Sequence, residues 1–434
     1  MNSLHILDRK TAPLSNKIDN LAIQQAEKHL LQNGIPVFTI HSGTQEVLRI
    51  EFIFEAGEIG QTSPLLARTV NGLLQDGTKN KTGLELANQL DFYGAFLEAD
   101  TGKDLASLTL YVAKKHLKNV LPMVVEILTE ASLPEEEFLL RMKNGKQNHK
   151  INLEKTEFLA SKHFGEAAFK NTAYQSNLKI EHYDTLALPE VHSFYKQKYT
   201  LQNLTIVASG MADKEVLNIL NDSFNMSVRA LNNKADAPPF EYDYRSEKSI
   251  VHIEKQNAMQ SSIRIGRKMF LNDHPDKYKF SILNCILGGY FGSRLMANIR
   301  EDKGYTYGIS SGYSAFRQAG VFTIGTDVGA EVTEKAILEI FKEIEILKSV
   351  PVPTAEVELV KSYLLGSLLK GLDGPFSLAD RFKSVYFYGL TYASYDKYIE
   401  TINNIKSIDI QEMANKYLNE DSLLQVIVGS KQLK

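Results

Sequence analysis

The stretch from Gly288 to Tyr313, GGYFGSRLMANIREDKGYTYGISSGY, holds the residues best suited to chemistry. Its pattern predicts a short helix over 294–300, a turn, and a strand from Tyr305 onward on which Tyr305 and Tyr307 share one face. Arg300 at the helix end and Tyr307 on the adjoining strand would form a pair of donors that converge on a carbonyl group or a developing oxyanion. The same residues are also compatible with a surface ion pair and packed aromatic side chains.

Other familiar catalytic and binding motifs are missing from the sequence. It contains no serine-hydrolase elbow, phosphate loop, dinucleotide fingerprint or cysteine–histidine metal cluster. The glycine-rich run 288–293 follows a helix-like segment rather than a strand, so it predicts a helix-ending turn with close backbone approach instead of a phosphate site. The single cysteine, Cys285, excludes an intrachain disulfide and is predicted to be a small buried hydrophobe.

Length and composition are those of a globular protein with more than one core. The chain has 434 residues, of which 43% are hydrophobic and 23% charged, and its formal net charge is −3. Without a basic surplus, we expect neither a nucleic-acid nor an anionic-membrane partner. Asp8, Arg9 and Lys10 interrupt any secretory apolar stretch, and no run approaches the ~18 apolar residues of a membrane span, so a cytoplasmic location is expected.

Three segments recur along the chain in the same order and at nearly constant spacing, which predicts an internal repeat. Each match is weak alone, but the conserved order is hard to obtain by chance. The matched pairs are Leu86–Leu90 with Met296–Arg300, His116–Leu128 with Val332–Ile344, and Tyr195–Val207 with Met413–Ile427.

Hydrophobic periodicity predicts both strands and helices in each copy. The strands are Val47–Phe54, Leu105–Val112 and Gly320–Val328, and the helices His116–Glu130 and Val332–Leu347. Ser132 to Glu135 is typical of a capping box that opens a further long helix.

The resulting fold class is α+β, with two tandem homologous α/β units that each pack an antiparallel-rich sheet with helices. The polar segment before Pro238 and Pro239 indicates a linker between them. We expect an N-terminal arm over residues 1–25, a first repeat over 26–230, a linker over 231–245 and a second repeat over 246–434.

The segment Leu287–Tyr307 resembles the second-domain signature of the pitrilysin/insulinase-type zinc metallopeptidases, the family that includes the mitochondrial processing peptidase. In that family a helix carrying S-R-L leads to R-E-x-x-G-x-x-Y, which here begins at Arg300 and ends at Tyr307. The resemblance implies half of a metalloprotease-like clamshell. It also implies that Arg300 and Tyr307 are the catalytic and substrate-binding residues, with Tyr305 as the alternative if the register is shifted.

The first repeat departs from the family at its zinc motif, His-x-x-Glu-His. The Gly-Thr pair that follows the motif is kept at residues 77–78, but the motif positions hold Arg68, Asn71 and Gly72. The third zinc ligand, a glutamate in the family, falls near Lys146–Lys150, and no Asp or Glu lies between Phe138 and Leu153. The resemblance therefore implies that this chain holds no metal or other cofactor.

Three functions remain open at this point. The first is the non-zinc subunit of a heterodimeric zinc endopeptidase, without peptidase activity alone, whose zinc-bearing homologue keeps an intact His-x-x-Glu-His motif. There Arg300 and Tyr307 would act in trans on an extended peptide. The second is a catalytically inert scaffold or binding protein derived from the same family, and the third an independent hydrolase with an unrecognised site.

Overall fold

The computed structural model describes residues 21–225 and 242–430, called here the first and the second half of the chain. Each half contains one mixed β-sheet packed with helices, so the predicted α+β class with two tandem α/β units is confirmed. Most of the predicted arm and linker lies outside the described residues. The division of the chain at those boundaries stays a prediction.

The sheet of the first half has six strands in the order β1-β2-β6-β3-β5-β4. Only β2 and β6 pair in parallel, and the other neighbours are antiparallel. The strands are β1 (Glu27–Leu30), β2 (Pro36–His41), β3 (Val47–Phe54), β4 (Phe96–Thr101), β5 (Ala106–Ala113) and β6 (Leu204–Gly210).

The sheet of the second half has five strands in the order β7-β11-β8-β10-β9. Its only parallel pair is β7 with β11, which stands where β2 and β6 stand in the first sheet. A duplicated unit would produce this correspondence of order and direction. The strands are β7 (Ser249–Glu254), β8 (Gln260–Met269), β9 (Ile309–Ala315), β10 (Gly320–Gly329) and β11 (Leu424–Gly429).

Helices connect the strands in both halves. In the first half they are α1 (Leu66–Leu73), α2 (Gly83–Phe92), α3 (Leu117–Glu130), α4 (Glu135–Leu153), α5 (Thr156–Ala168), α6 (His182–Thr185), α7 (Leu188–Lys198) and α8 (Lys214–Phe224). In the second half they are α9 (Lys277–Asn284), α10 (Thr333–Ser349), α11 (Thr354–Lys370), α12 (Gly374–Tyr386), α13 (Ala393–Asn404) and α14 (Ser407–Tyr417).

The three strands and two helices predicted from hydrophobic periodicity agree with these bounds to within two residues, but the predicted capping box at Ser132 is wrong. Helix α4 begins at Glu135, its N-cap is Pro134, and no side chain caps it. Ser132 instead donates its backbone N–H to the carbonyl oxygen of Gly77 at 3.0 Å. Leu133, at a φ of 48°, turns the chain between that contact and the helix.

Helix α12 belongs to the second half by sequence but packs on the sheet of the first half. Leu378 and Phe382 lie in one buried cluster with Phe38 and Val207. The ring centroids of Phe38 and Phe382 are 4.6 Å apart. The face of the first sheet that α1 and α3 leave free is thus covered by a helix from the other half.

Helix α5 makes the reciprocal contact. It belongs to the first half, yet Ala160 and Phe164 share a buried cluster with Val426 and Val428 of β11. Each half therefore completes its core with a helix from the other. These shared clusters add to the main core that each half builds from its own residues, and their burial of apolar surface holds the two halves together.

A balanced group of four charges holds α12 on the first sheet. Arg49 Nη2 binds Asp380 Oδ1 at 2.9 Å and donates to the carbonyl oxygen of Phe376 at 2.8 Å. Lys383 pairs with Glu51 and, at 3.0 Å, with Asp380. Arg49 and Glu51 are buried, so removing either partner would leave a charge uncompensated.

Candidate functional site

Arg300 lies in a π-helical segment, Met296–Asp302, in agreement with the predicted helix. Its guanidinium carbon lies 4.6 Å from the ring centroid of Phe291, in cation–π geometry. Its contact with Glu301 is long, at 3.8 Å, and the Arg300 side chain is 35% exposed. The guanidinium is therefore held mainly by an aromatic ring and keeps donors free for a ligand.

Phe291 is the residue of this site that the sequence did not single out. It is 65% exposed although it is a large apolar side chain. An exposed phenylalanine beneath an arginine limits the rotamers of that arginine without using its N–H donors. The signal was present in the FGSRL stretch, but only the folded chain brings residue 291 under residue 300.

Tyr307 is 96% exposed, the highest value among the large hydrophobic side chains of the described part of the chain. Its backbone is nevertheless fixed. Thr306 Oγ1 donates to the carbonyl oxygen of Asp327 at 2.8 Å, and Gly308 N–H donates back to Thr306 Oγ1 at 3.1 Å. A phenol that projects into solvent from a fixed backbone is suited to a surface formed with another molecule.

The predicted strand from Tyr305 is wrong, because β9 begins only at Ile309, which faces Thr326 at the end of the pairing with β10. Before Ile309, the Thr306 hydroxyl donates to the carbonyl oxygen of Asp327 and accepts from the backbone N–H of Gly308. Tyr305 consequently does not share a strand face with Tyr307. It packs against the core of the second half.

Arg300 and Tyr307 do not contact each other. Within residues 242–430, no hydrogen bond or ring contact joins them. Both are accessible at the same short segment, but their convergence on one carbonyl group stays a prediction.

The glycine-rich run before this segment behaves as predicted. The helix ends at Gly289, and a Cβ on Gly288 would lie 2.7 Å from the backbone nitrogen of Ser311. Such a contact is too short for any side chain. Gly288 thus lets the helical segment pack directly on β9, the strand that follows Tyr307.

In the first half, Arg68, Asn71 and Gly72 all lie on α1. Arg68 Nη2 donates to Glu58 Oε1 at 2.7 Å, and Lys103 Nζ donates to Glu58 Oε2 at 2.6 Å. Burial alone would raise the pKa of Glu58, but the bonds from Lys103 and Arg68 hold that pKa below its ordinary value. The carboxylate here is committed to two cations of the chain.

Asn71 is fully buried and acts as a structural hydrogen-bond centre. Its Nδ2 donates to the carbonyl oxygen of Asp100 at 2.7 Å and to Thr101 Oγ1 at 3.0 Å. Its Oδ1 accepts from the Tyr199 hydroxyl at 3.1 Å. The side chain fastens α1 to strand β4 and to the end of α7, and it leaves no group free to act as a base.

Gly72 is covered by Arg141 of α4. Arg141 Nη2 donates to the carbonyl oxygen of Gly72 at 2.9 Å and to Asp76 Oδ2 at 3.0 Å. A Cβ on residue 72 would lie 2.6 Å from Arg141 Nη1. The guanidinium group of Arg141 therefore occupies the space that a side chain on residue 72 would need.

The part of α4 where the third ligand was expected, Lys146–Lys150, carries two lysines and no carboxylate. Lys146 Nζ donates to Asp184 Oδ2 at 2.6 Å. His149 is buried between the rings of Phe158 and Tyr183, and that burial lowers its pKa.

These residues do not fit a zinc ion. An arginine, an amide and a glycine replace the motif, and the surrounding groups are guanidinium and ammonium groups rather than metal donors. Across residues 21–225 and 242–430, no group of three or more His, Cys, Asp or Glu side chains could hold a metal. In the same residues, no helix is long and apolar enough to cross a membrane.

Known proteins that are similar to this chain include a peptidase family and a protein named as a zinc protease. Residues 185–364 match the family model described as the peptidase M16 inactive domain. The chain is similar to the uncharacterized zinc protease YmxG of Bacillus subtilis (strain 168), with 21% identity over 411 residues, which are 93% of this chain and 98% of YmxG.

Two solved structures share the fold over almost the whole chain. One is a peptidase M16 inactive domain from Pseudomonas fluorescens, with a TM-score of 0.84, 23% identity and coverage of 95% of this chain and 100% of that one. The other is a protease from Helicobacter pylori, with a TM-score of 0.84, 18% identity and coverage of 94% and 100%.

Proposed function

We propose that this chain, which resembles the pitrilysin/insulinase-type M16 peptidases, is the non-zinc subunit of a two-chain zinc endopeptidase. The partner would be a homologous chain of similar length that carries an intact His-x-x-Glu-His motif and the zinc ion. The substrate would be a peptide bound in extended form. The peptidase ancestry is shared with the relatives above, and the partner and the roles of single residues are the proposal.

The exposure of Tyr307 carries this proposal. A tyrosine that is 96% exposed contributes little to the stability of its own chain. Thr306 fixes its backbone, and Phe291 fixes the neighbouring Arg300. An ordered arginine with only a long ion-pair contact and an exposed phenol suit a site that closes only when a second chain and a peptide arrive.

The chemistry follows from these two donors. When bound, zinc supplies an activated water in the partner chain. Arg300 would orient the substrate carbonyl group through its N–H donors, and the Tyr307 hydroxyl would donate to the oxygen on which negative charge develops. Neither residue needs to change its protonation state for this role.

The test is reconstitution with the zinc-bearing homologue from the same genome. We expect the two chains to co-purify and to cleave an unstructured peptide. Removal of one oxyanion donor, by Arg300→Ala or Tyr307→Phe, should lower kcat by about 10²–10³-fold while the complex stays assembled. Tyr363→Phe is the matched control, because it removes a hydroxyl from another partly exposed tyrosine of the second half.

Full activity of the Arg300→Ala/Tyr307→Phe double variant would refute the assigned roles. If no zinc-bearing homologue binds the chain, the inert scaffold or binding protein becomes the better description. Cleavage by the pure chain that survives a chelator would instead support an independent hydrolase.

A further inference from the structure

A groove of about 750 Å³ runs along helix α4, between that helix and the segment around Tyr183. It is called the α4 groove here. Phe138, Met142 and Leu186 give it a buried apolar floor. Gly145 lets the helix approach Tyr183 closely, since a Cβ there would lie 2.7 Å from the tyrosine ring. The groove is therefore built by close packing of the chain.

Three lysines line the α4 groove: Lys143, Lys146 and Lys150. Lys146 is neutralised by Asp184, at 2.6 Å. Lys143 and Lys150 form no ion pair with any residue of the described ranges. The stretch of α4 that carries these lysines, 138–153, contains no acidic residue. Two free cations therefore stand above an apolar floor.

The Tyr183 hydroxyl adds a neutral donor to the same groove. Its ring lies tilted against that of His149, at 5.7 Å between centroids, and no hydrogen bond of the hydroxyl occurs within the described ranges. Burial raises the pKa of Tyr183, so its proton is retained at neutral pH. The hydroxyl can donate to an oxygen of a bound ligand.

We propose that the α4 groove binds carboxylate groups of the extended peptide substrate through Lys143, Lys150 and Tyr183. This inference rests on the proposed function and adds a substrate class to it: peptides with acidic side chains or a free C-terminal carboxylate. Ammonium groups and a hydroxyl donor satisfy a carboxylate by charge-assisted hydrogen bonds, and the apolar floor accommodates the aliphatic stems of the acidic side chains.

The location fits this role. The helix that lines the groove also sends Arg141 to Gly72, one of the lost metal positions. One helix thus both contacts residue 72 and lines the cationic groove.

The experiment uses the full-length chain alone and three labelled peptides of equal length, each read by fluorescence anisotropy. One has glutamate at alternate positions and an amidated C-terminus, the second replaces each glutamate by glutamine, and the third is the glutamine peptide with a free C-terminal carboxylate. We expect at least one carboxylate-bearing peptide to bind about tenfold more tightly than the neutral one, the size of one charge-assisted contact. Which of the two does so identifies the source of the carboxylate.

Lys143→Glu/Lys150→Glu should abolish this preference, and the milder Lys143→Gln/Lys150→Gln should reduce it. Lys115→Glu/Lys118→Glu makes the same change in net charge outside the groove and should retain it. Equal binding of all three peptides, or equal loss in the control variant, would overturn the proposal. The peptide-binding assay needs neither the partner chain nor zinc. A negative result for the α4 groove would therefore not affect the reconstitution test of Arg300 and Tyr307, and a negative reconstitution would not affect the peptide-binding result.

Discussion

Arg141 stands in the space that a side chain on residue 72 would need. Its Nη2 donates to the carbonyl oxygen of Gly72 at 2.9 Å, and its Nη1 would lie 2.6 Å from a Cβ on that residue. Asp76 holds the guanidinium in place from the other side, at 3.0 Å. The glycine and the arginine are thus coupled. Restoring a histidine at residue 72 would require displacing a paired cation.

This coupling predicts a non-additive pair of substitutions. An alanine in a helix is favoured over glycine by about 0.5–1 kcal/mol. In the Arg141→Ala background, Gly72→Ala should stabilise the chain by that amount. In the wild type, the displaced guanidinium should offset the gain or reverse it. A double-mutant cycle from urea unfolding measures the difference, and equal effects in both backgrounds would show that Arg141 does not constrain residue 72.

Substitution of Asn71, which stands at a position of the family's zinc motif, should cause a large loss of stability. Asn71→Ala removes an amide that binds Asp100, Thr101 and the hydroxyl of Tyr199 in the core. The free energy of unfolding should fall by about 2–4 kcal/mol, because several buried polar groups lose their partner. Tyr199→Phe, the control, removes one hydrogen bond and should cost about 1 kcal/mol. A similar cost for both variants would contradict the central role of the amide.

The ion pairs of Glu58 predict that the free energy of unfolding of the chain depends on pH. Burial opposes its ionisation, but Lys103 and Arg68 hold its pKa in the folded chain below the ordinary 4.5. A carboxylate with a lowered pKa stabilises the fold above its unfolded pKa, and this contribution is lost as the pH falls below it. The stability difference between wild type and Glu58→Gln should therefore be largest near neutral pH and shrink below about pH 4.5.

Urea unfolding at several pH values measures that difference. Glu136→Gln, on the exposed first turn of α4, is the control and should show no such trend. A difference that stays constant down to acidic pH would exclude Glu58 as the source.

The exchange of α5 and α12 predicts that the two halves unfold together. Phe382→Ala removes a ring that packs α12 on the first sheet. It should lower the free energy of unfolding by about 3–5 kcal/mol. Amide hydrogen exchange should then accelerate in both sheets, although the substitution lies in the second half of the sequence. Phe96→Ala, at a phenylalanine that is 61% exposed, is the control with little expected effect. Faster exchange in one sheet alone would show that the halves are independent.

Local patterns predicted most of the secondary structure. The bounds of β3 agree with the predicted Val47–Phe54, because a run of β-branched and aromatic residues followed by Gly57 is a local signal. The strand predicted from Tyr305 failed for a non-local reason. Alternation continues back to Tyr305, but the pairing with β10 ends at Ile309, and the Thr306 hydroxyl satisfies the backbone beyond that point.

The sequence by itself determined which chemical groups this protein has. Arg300 and Tyr307 are present, the zinc-binding motif is absent, and 138–153 carries no carboxylate. These facts depend only on residue type and spacing.

The tertiary structure alone decided what those groups can do. It placed Arg141 over Gly72, set Phe291 beneath Arg300, left Tyr307 in solvent and opened the α4 groove beside two lysines of that helix. It also exchanged α5 and α12 between the halves. The physical reason is that each of these outcomes depends on packing between segments that are separate in the chain, and hydrophobic periodicity shows which face of a segment is buried but not which partner buries it.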